Sequence, residues 1–306
     1  MNRSTPLNRT IAILLTLLAL LAFAPHALAQ SAAVDVTDMT GRAIHLDAPV
    51  ERIVALTPSD CEILYALGAG GTLAGRGAYC DYPPEVLDIT AVQSGSSTNY
   101  EEIVALEPQV VLMSTMSQTE EQAALLESAG ITVVVSAAQD IEGVYTAVEL
   151  IGAVVGREEE AANVIGGMKD SFAAIAAKTA GAESGKTVYF EVSPLEWGLW
   201  TAGSGTFMDE LARMIGLENA FADVQGWGEI SEEQVLERDP DYIVSITMYY
   251  GEGPTPVEEI MGREGWSGLK AVKNGTILNA DSNEISRPAP RLVNAAQTLY
   301  DFVYGQ

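Results

Sequence analysis

Residues 157–180 read REEEAANVIGGMKDSFAAIAAKTA. Alanine dominates, three glutamates (Glu158, Glu159, Glu160) stand at the start and Lys178 stands near the end. Charge of that polarity suits the dipole of one long helix. Gly166-Gly167 is its weak point, and a polar tract, 181–186, follows. Short apolar runs alternate with helical patterns on both sides, so the stretch reads as a rigid connector between two lobes. The alternative is one more surface helix of a single domain.

Upstream, 34–49 (VDVTDMTGRAIHLDAP) has the pattern of a hairpin turning at Thr40-Gly41. A short strand at 52–56 (RIVAL) leads through Pro58, Ser59 and Asp60 into a helix that stops at Gly68. Strand 110–114, helix 119–129 and strand 131–136 continue the alternation. Downstream, strands are expected at 186–192, 242–247 and 276–280, a helix at 207–216, and a closing helix at 288–304. Such alternation predicts α/β layers with mostly parallel strands. The expected architecture is two α/β lobes joined by one long helix. Its parts are a signal peptide at 1–29, an N-terminal lobe at 30–156, the connector at 157–181 and a C-terminal lobe at 182–306.

The halves echo each other. Glu101-Glu102-Ile103-Val104-Ala105-Leu106-Glu107-Pro108 precedes Val110-Val111-Leu112, and Glu232-Glu233-Gln234-Val235-Leu236-Glu237-Arg238-Asp239-Pro240 precedes Tyr242-Ile243-Val244. Each proline ends a short helix just before a buried strand. Each half therefore presents a glutamate, Glu101 or Glu233, near a helix start. Helix N-terminal charge alone accounts for such a residue at about 0.3–1 kcal/mol.

Arg3 and Arg9 flank a short apolar run at 11–24, and Ala27-Leu28-Ala29 precedes Gln30. That is the pattern of a secretory signal. The run is short for a membrane span, which needs about 20 apolar residues. No cysteine lies near the cleavage site, so a lipid anchor is not expected there. The formal net charge of −26 excludes the basic face that nucleic acid requires. It keeps an exported chain soluble and suits a basic membrane partner.

Beyond the signal only His45 remains, so neither a His-rich metal site nor a Ser-His-Asp triad away from the hairpin can be built. No metal ligands, cofactor or catalytic residues are assigned. Cys61 and Cys80 suit either a disulfide or two separate buried thiols, with the helical setting of Cys61 favouring the latter.

The run Tyr79-Cys80-Asp81-Tyr82-Pro83-Pro84-Glu85, the two glutamate segments, and Ser286-Arg287-Pro288-Ala289-Pro290-Arg291 together resemble the iron-siderophore, haem and cobalamin class of ABC-importer solute-binding proteins, class III periplasmic binding proteins. The resemblance spans the chain beyond the signal. It implies two α/β lobes joined by one connector helix with the ligand cleft between them, a periplasmic or extracytoplasmic location, and delivery of a bulky chelate to a permease dimer. By position, Glu101 and Glu233 would dock on permease arginines. Tyr79, Trp200, Trp227 and Arg287 resemble pocket positions of the cobalamin-binding member. Tyr249 and Tyr250 are added from their place after a strand. The match departs from that member at 94–98 and Ser114, where two tryptophans would fall, and at Asn283, where an acid would stand. Siderophore, haem and cobalamin all remain open. The chain is expected to act as a monomer.

Two rival functions remain. A secreted carbohydrate-active enzyme would use paired carboxylates such as Glu191 and Glu196 beside Trp197 and Trp200. A ligand-binding protein that only signals to a receptor would need no glutamate on each half.

Overall fold

The computed structural model describes residues 32–95, 97–115, 118–179 and 185–305. The signal pattern at 1–29 lies outside the described residues, as does most of the polar tract after the connector.

The N-terminal hairpin pairs β1 (Val34–Thr37) with β2 (Ala43–Leu46). Asp38 organises its turn, accepting from the Thr40 and Arg42 amides at 3.0 Å each. The first lobe is built on a parallel five-stranded sheet of order β5-β4-β3-β6-β7. Its strands are β3 (Ile53–Ala55), β4 (Leu73–Gly77), β5 (Ala91–Val92), β6 (Val110–Met113) and β7 (Thr132–Val135). The helices between them are α1 (Pro58–Ala66), α2 (Tyr100–Ala105), α3 (Glu120–Ser128) and, after β7, α4 (Ile141–Val155).

β3 and β6 are buried along their whole length because helices cover both faces of the sheet. Their residues alternate between two cores. Ile53, Ala55, Val110 and Leu112 face one, and Val54, Val111 and Met113 face the other. Only glycine fits at Gly77, where an added Cβ would lie 2.3 Å from the Leu56 carbonyl oxygen.

The connector is α5 (Glu158–Thr179), an unbroken helix of 22 residues that runs through both glycines. Gly156, in the left-handed region at φ 65°, separates it from α4. Ala161, Ile165, Met168, Phe172 and Ile175 form its buried stripe. That stripe belongs to one continuous core that takes in α1 and α4 of the first lobe and helices of the second.

The second lobe's sheet has the order β11-β9-β8-β12-β13, with β10 paired to β8. β8 (Thr187–Ser193), β12 (Tyr242–Ser245) and β13 (Ile277–Asn279) run parallel, while β9 (Trp200–Ala202) and β11 (Trp227–Glu229) form an antiparallel edge. The remaining elements are α6 (Phe207–Met214), β10 (Glu218–Asn219), α7 (Glu232–Arg238), α8 (Pro256–Gly262), α9 (Lys270–Asn274), α10 (Ser282–Ile285) and α11 (Leu292–Tyr304).

The closing helix begins at Leu292 rather than 288. Pro288 and Pro290 push the residues before them out of helical geometry, so the run starts only beyond them.

The two-lobed α/β fold, parallel strands and long connector agree with the sequence reading. The echo extends to the backbone. Asn99 and Ser231 cap α2 and α7, and Glu107 (φ 48°) and Asp239 (φ 43°) hold the same left-handed turn before Pro108 and Pro240.

Candidate functional site

In each sheet the chain reverses its lateral direction at one point, leaving a crevice outside the strand carboxyl ends where ligands of open α/β sheets bind. In the first lobe that point lies between β3 and β6, and in the second between β8 and β12. A cavity of about 210 Å³ opens at the first. Its wall comes from the segment after β3 (Thr57, Ser59, Asp60), from Ser114 and Gln118 after β6, and from Ser136 after β7. Ser286, Arg287 and Pro288 of the second lobe close it from across the cleft, so the cavity is inter-lobe.

The sequence-predicted residues divide into two groups. Tyr79 lines the cavity and is 73% exposed. Trp200 pairs with Ser193, the last residue of β8, and stands half-exposed at that sheet's carboxyl edge. Tyr249 and Tyr250 follow β12 and are exposed, their hydroxyls donating to the Gly253 carbonyl (3.1 Å) and the Met248 sulfur (3.3 Å). All four rings are open to solvent, and of the four Tyr79 lines the cavity. Trp197, set aside as part of an enzyme reading, is as open as Tyr79 and follows β8.

Trp227 and Arg287 already have partners across the lobe boundary. The Trp227 Nε1–H donates to Gln139 Oε1 of the first lobe (3.1 Å), and its ring packs on Phe207 with centroids 5.4 Å apart. Arg287 is buried. Its Nη1 donates to Glu62 (3.1 Å) and Asp81 (2.6 Å), and its Nη2 to Asn283 Oδ1 (2.6 Å) and the Tyr79 carbonyl (3.4 Å). Arg291 grips the same Glu62 carboxylate through Nε and Nη2 at 2.8 and 2.7 Å and lies over the Tyr82 ring. Burial depresses the Arg291 guanidinium, but Glu62 more than offsets this and holds it above its usual value. These charges strap the second lobe's 287–291 segment to α1.

Asp60 is the site residue that sequence reading passed over as part of a helix start. It is fully buried and forms no ion pair among the described residues. Its carboxylate accepts from the Thr57 hydroxyl (2.6 Å) and from the Ser136 hydroxyl. Burial pushes its pKa up to about 6, against the hydrogen bonds of Ser136 and Thr57, from the ordinary 3.8. A carboxyl whose folded value is raised lends its full stability below the unfolded value and loses it as pH rises through the folded one. Ionised near pH 7.5, Asp60 therefore costs the fold about 3 kcal/mol. Asp60→Asn is expected to raise unfolding stability by up to about that amount near pH 7.5 and by only about 1 kcal/mol near pH 4.5. Urea titration of both proteins at the two pH values checks this. A gain that does not shrink on acidification counts against it.

Cys61 and Cys80 are free and buried, both directing their thiols at the Ala55 carbonyl, at 3.9 and 4.0 Å. The adjacent Cys80 thiol and burial hold the Cys61 thiol well above its ordinary pKa.

Other residues considered for chemistry are committed elsewhere. Glu191 is buried and bonded through both oxygens to Arg263, at 2.6 and 2.9 Å, so it is not available as a glycosidase carboxylate. His45 is exposed on the hairpin, where Asp35 at 2.7 Å raises its pKa. No group of three or more metal-ligating side chains occurs among the described residues. None of the helices in these residues is long and apolar enough to cross a membrane.

Glu101 and Glu233 are exposed at the second residue of α2 and α7. Its own amide and the Ser231 side chain hold the Glu233 carboxyl below its usual pKa. One turn on, Val104 (42% exposed) and Leu236 (38%) stand beside them, so each helix presents a carboxylate and an aliphatic group together.

Residues 53–284 match the family described as periplasmic binding protein. An uncharacterised ABC transporter substrate-binding lipoprotein of Bacillus subtilis is 34% identical over 276 residues, covering 89% of this chain and 85% of that protein. A cobalamin-binding protein of Halobacterium salinarum is 32% identical, covering 84% of this chain and 70% of that one. The crystal structure of a possible iron-binding, periplasmic solute-binding protein from Staphylococcus epidermidis superposes with a TM-score of 0.73 at 30% identity, covering 84% of this chain and 99% of that one. With the family match over most of the chain and a relative 34% identical, this two-lobed α/β protein belongs to the periplasmic binding protein family, as a solute-binding protein of the ABC-importer class.

Proposed function

We propose that the chain captures a bulky metal chelate, a corrinoid first among the corrinoid, haem and iron–siderophore classes, and delivers it to the permease of an ABC importer. The observation that carries this reading is the set of exposed rings near the strand ends of the two lobes: Tyr79 on the cavity wall, Trp200 beside the end of β8, and Tyr249 and Tyr250 after β12. Exposed aromatic rings are costly to leave in water. They suit a large, flat ligand that buries them at low entropy cost. The cobalamin-binding relative from Halobacterium salinarum puts corrinoids ahead of the other two classes.

Glu101 with Val104 and Glu233 with Leu236 form the matching docking points, one on each lobe. Such a pair suits a two-sided permease with a basic surface.

Mass spectrometry of the ligand retained by natively purified protein tests the capture. A corrinoid, haem or ferric chelate is expected, and a preparation carrying a sugar or peptide instead would overturn the reading. Tyr79→Ala and Trp200→Ala should each weaken binding of that ligand about tenfold or more, as central aromatic contacts do. Titration calorimetry checks this, and affinity unchanged in both variants removes these rings from the site.

A further inference from the structure

The polar wall of the inter-lobe cavity has a direction, because each hydroxyl has one proton to give. Thr57 donates to Asp60 Oδ2 at 2.6 Å, and Ser136 donates to Asp60 Oδ1. The Thr57 oxygen lies 3.2 Å from the Ser59 hydroxyl. Since the Thr57 proton is already committed, Ser59 is the donor in that pair. Thr57 also accepts from the Asp60 amide at 3.4 Å, which fills its second lone pair. With Asp60 ionised, the Thr57, Ser59 and Ser136 protons therefore all run toward it, and the Ser59 and Ser136 oxygens keep only lone pairs to offer the cavity.

Gln118 supplies the opposite polarity. It is 6% exposed and lines the same cavity. Its Oε1 is held by the Ser114 amide at 2.9 Å, which fixes the side-chain orientation, while its Nε2 has no hydrogen-bond partner. A buried amide donor left unsatisfied is expensive, and a ligand acceptor would relieve it. The cavity's one guanidinium, Arg287, has both terminal nitrogens on protein oxygens.

From this layout, we infer that the cavity seats a primary carboxamide arm of the ligand, its NH₂ donating to Ser59 and Ser136 and its carbonyl accepting from Gln118 Nε2, with Asp60 as the positioning residue that turns the hydroxyls. This rests on the chelate-capture reading above and narrows it. A carboxylate arm meets two outward lone pairs and is disfavoured, as is a bare oxyanion. A volume of about 210 Å³ suits one arm rather than a whole chelate, whose body lies between the open rings outside.

The test is calorimetric titration of the full chain with cyanocobalamin, whose corrin ring carries primary amide arms, and with its monocarboxylic acids, in which one arm is hydrolysed. Wild type should bind the amide form about tenfold more tightly than an acid. Asp60→Asn should narrow that ratio to about threefold or less, because an asparagine donor frees one hydroxyl proton to turn outward. Gln118→Leu should weaken both forms alike and keep the ratio, since either carbonyl oxygen loses the same donor. A packing role for Asp60 would not move the ratio.

An unchanged ratio in Asp60→Asn overturns the inference, and so does a wild type that prefers the acids. A wild type that takes haemin or ferrioxamine but neither corrinoid form overturns it while leaving metal-chelate capture intact. Binding of none of these probes removes the capture reading itself, and the inference with it.

Discussion

Glu62→Ala is expected to lower the melting temperature by on the order of 10 °C. Glu62 is 3% exposed, and its carboxylate is the shared anion of Arg287 and Arg291. Removing it leaves two guanidiniums in a largely desolvated contact, with Asp81 still on Arg287 and only a distant Glu284, at 3.9 Å, near Arg291. Breaking a buried charge cluster in this way costs roughly 3–5 kcal/mol, which in a chain of this size is several degrees per pair of kilocalories. Glu62→Leu combined with Arg287→Met and Arg291→Met should recover most of the loss, because packed apolar groups replace a buried ion cluster at little net cost. Differential scanning calorimetry of the single and triple variants checks both statements. A single variant within about 2 °C of wild type would show that the strap carries no stability.

The strap also bears on ligand entry. α5 joins the lobes, and the 287–291 contact to α1 adds a second tie beside the cavity. The Ile141 amide to Glu210 Oε2 (2.7 Å) and the Phe207 amide to the Gln139 carbonyl (2.8 Å) tie the lobes again near Trp227.

The second large effect concerns delivery. With Glu101→Arg and Glu233→Arg together, uptake through the reconstituted permease is expected to fall to background while ligand affinity stays within about twofold. The basis is geometric. The two carboxylates occupy equivalent positions on equivalent helices, exposed on separate lobes, and neither lines the cavity. Reversing both places like charges against a basic partner, which costs several kcal/mol and slows encounter. Each single reversal should leave partial uptake. Full uptake by the double variant would remove the docking role.

How much of this was legible beforehand varies by residue. The echo around Glu101 and Glu233 was countable because it is local: a cap, a glutamate, a buried apolar residue and a proline recur at fixed spacing. The structure extends it to the left-handed turns at Glu107 and Asp239. α4 escaped the sequence pass. With nine buried residues it is apolar on most of its surface, and its polar face is only a narrow stripe of Glu142, Thr146 and Glu149, a weak mark of a helix beside solvent.

The candidate site was legible only in part. Tyr79 and Trp200 were marked by their likeness to pocket positions of the family. Asp60 does not, because an acid in the first turn of a helix is ordinary. Its significance depends on Ser136, which is 76 residues away and reaches it only when β3 and β7 enter one sheet. Arg287 is the converse case. Its likeness to a pocket position marks it as a ligand group, yet Glu62, 225 residues earlier, holds it.

By itself, then, the sequence determined what short-range periodicity and charge can carry: alternating α/β units, a connector helix, an acidic chain with no chemistry around histidine, and one glutamate per half. Tertiary structure alone decided which polar groups meet across the cleft. The Ser136 hydroxyl on Asp60 and the strap on Glu62 each arise from residues far apart in the chain. Their energies depend on burial, which no local pattern records.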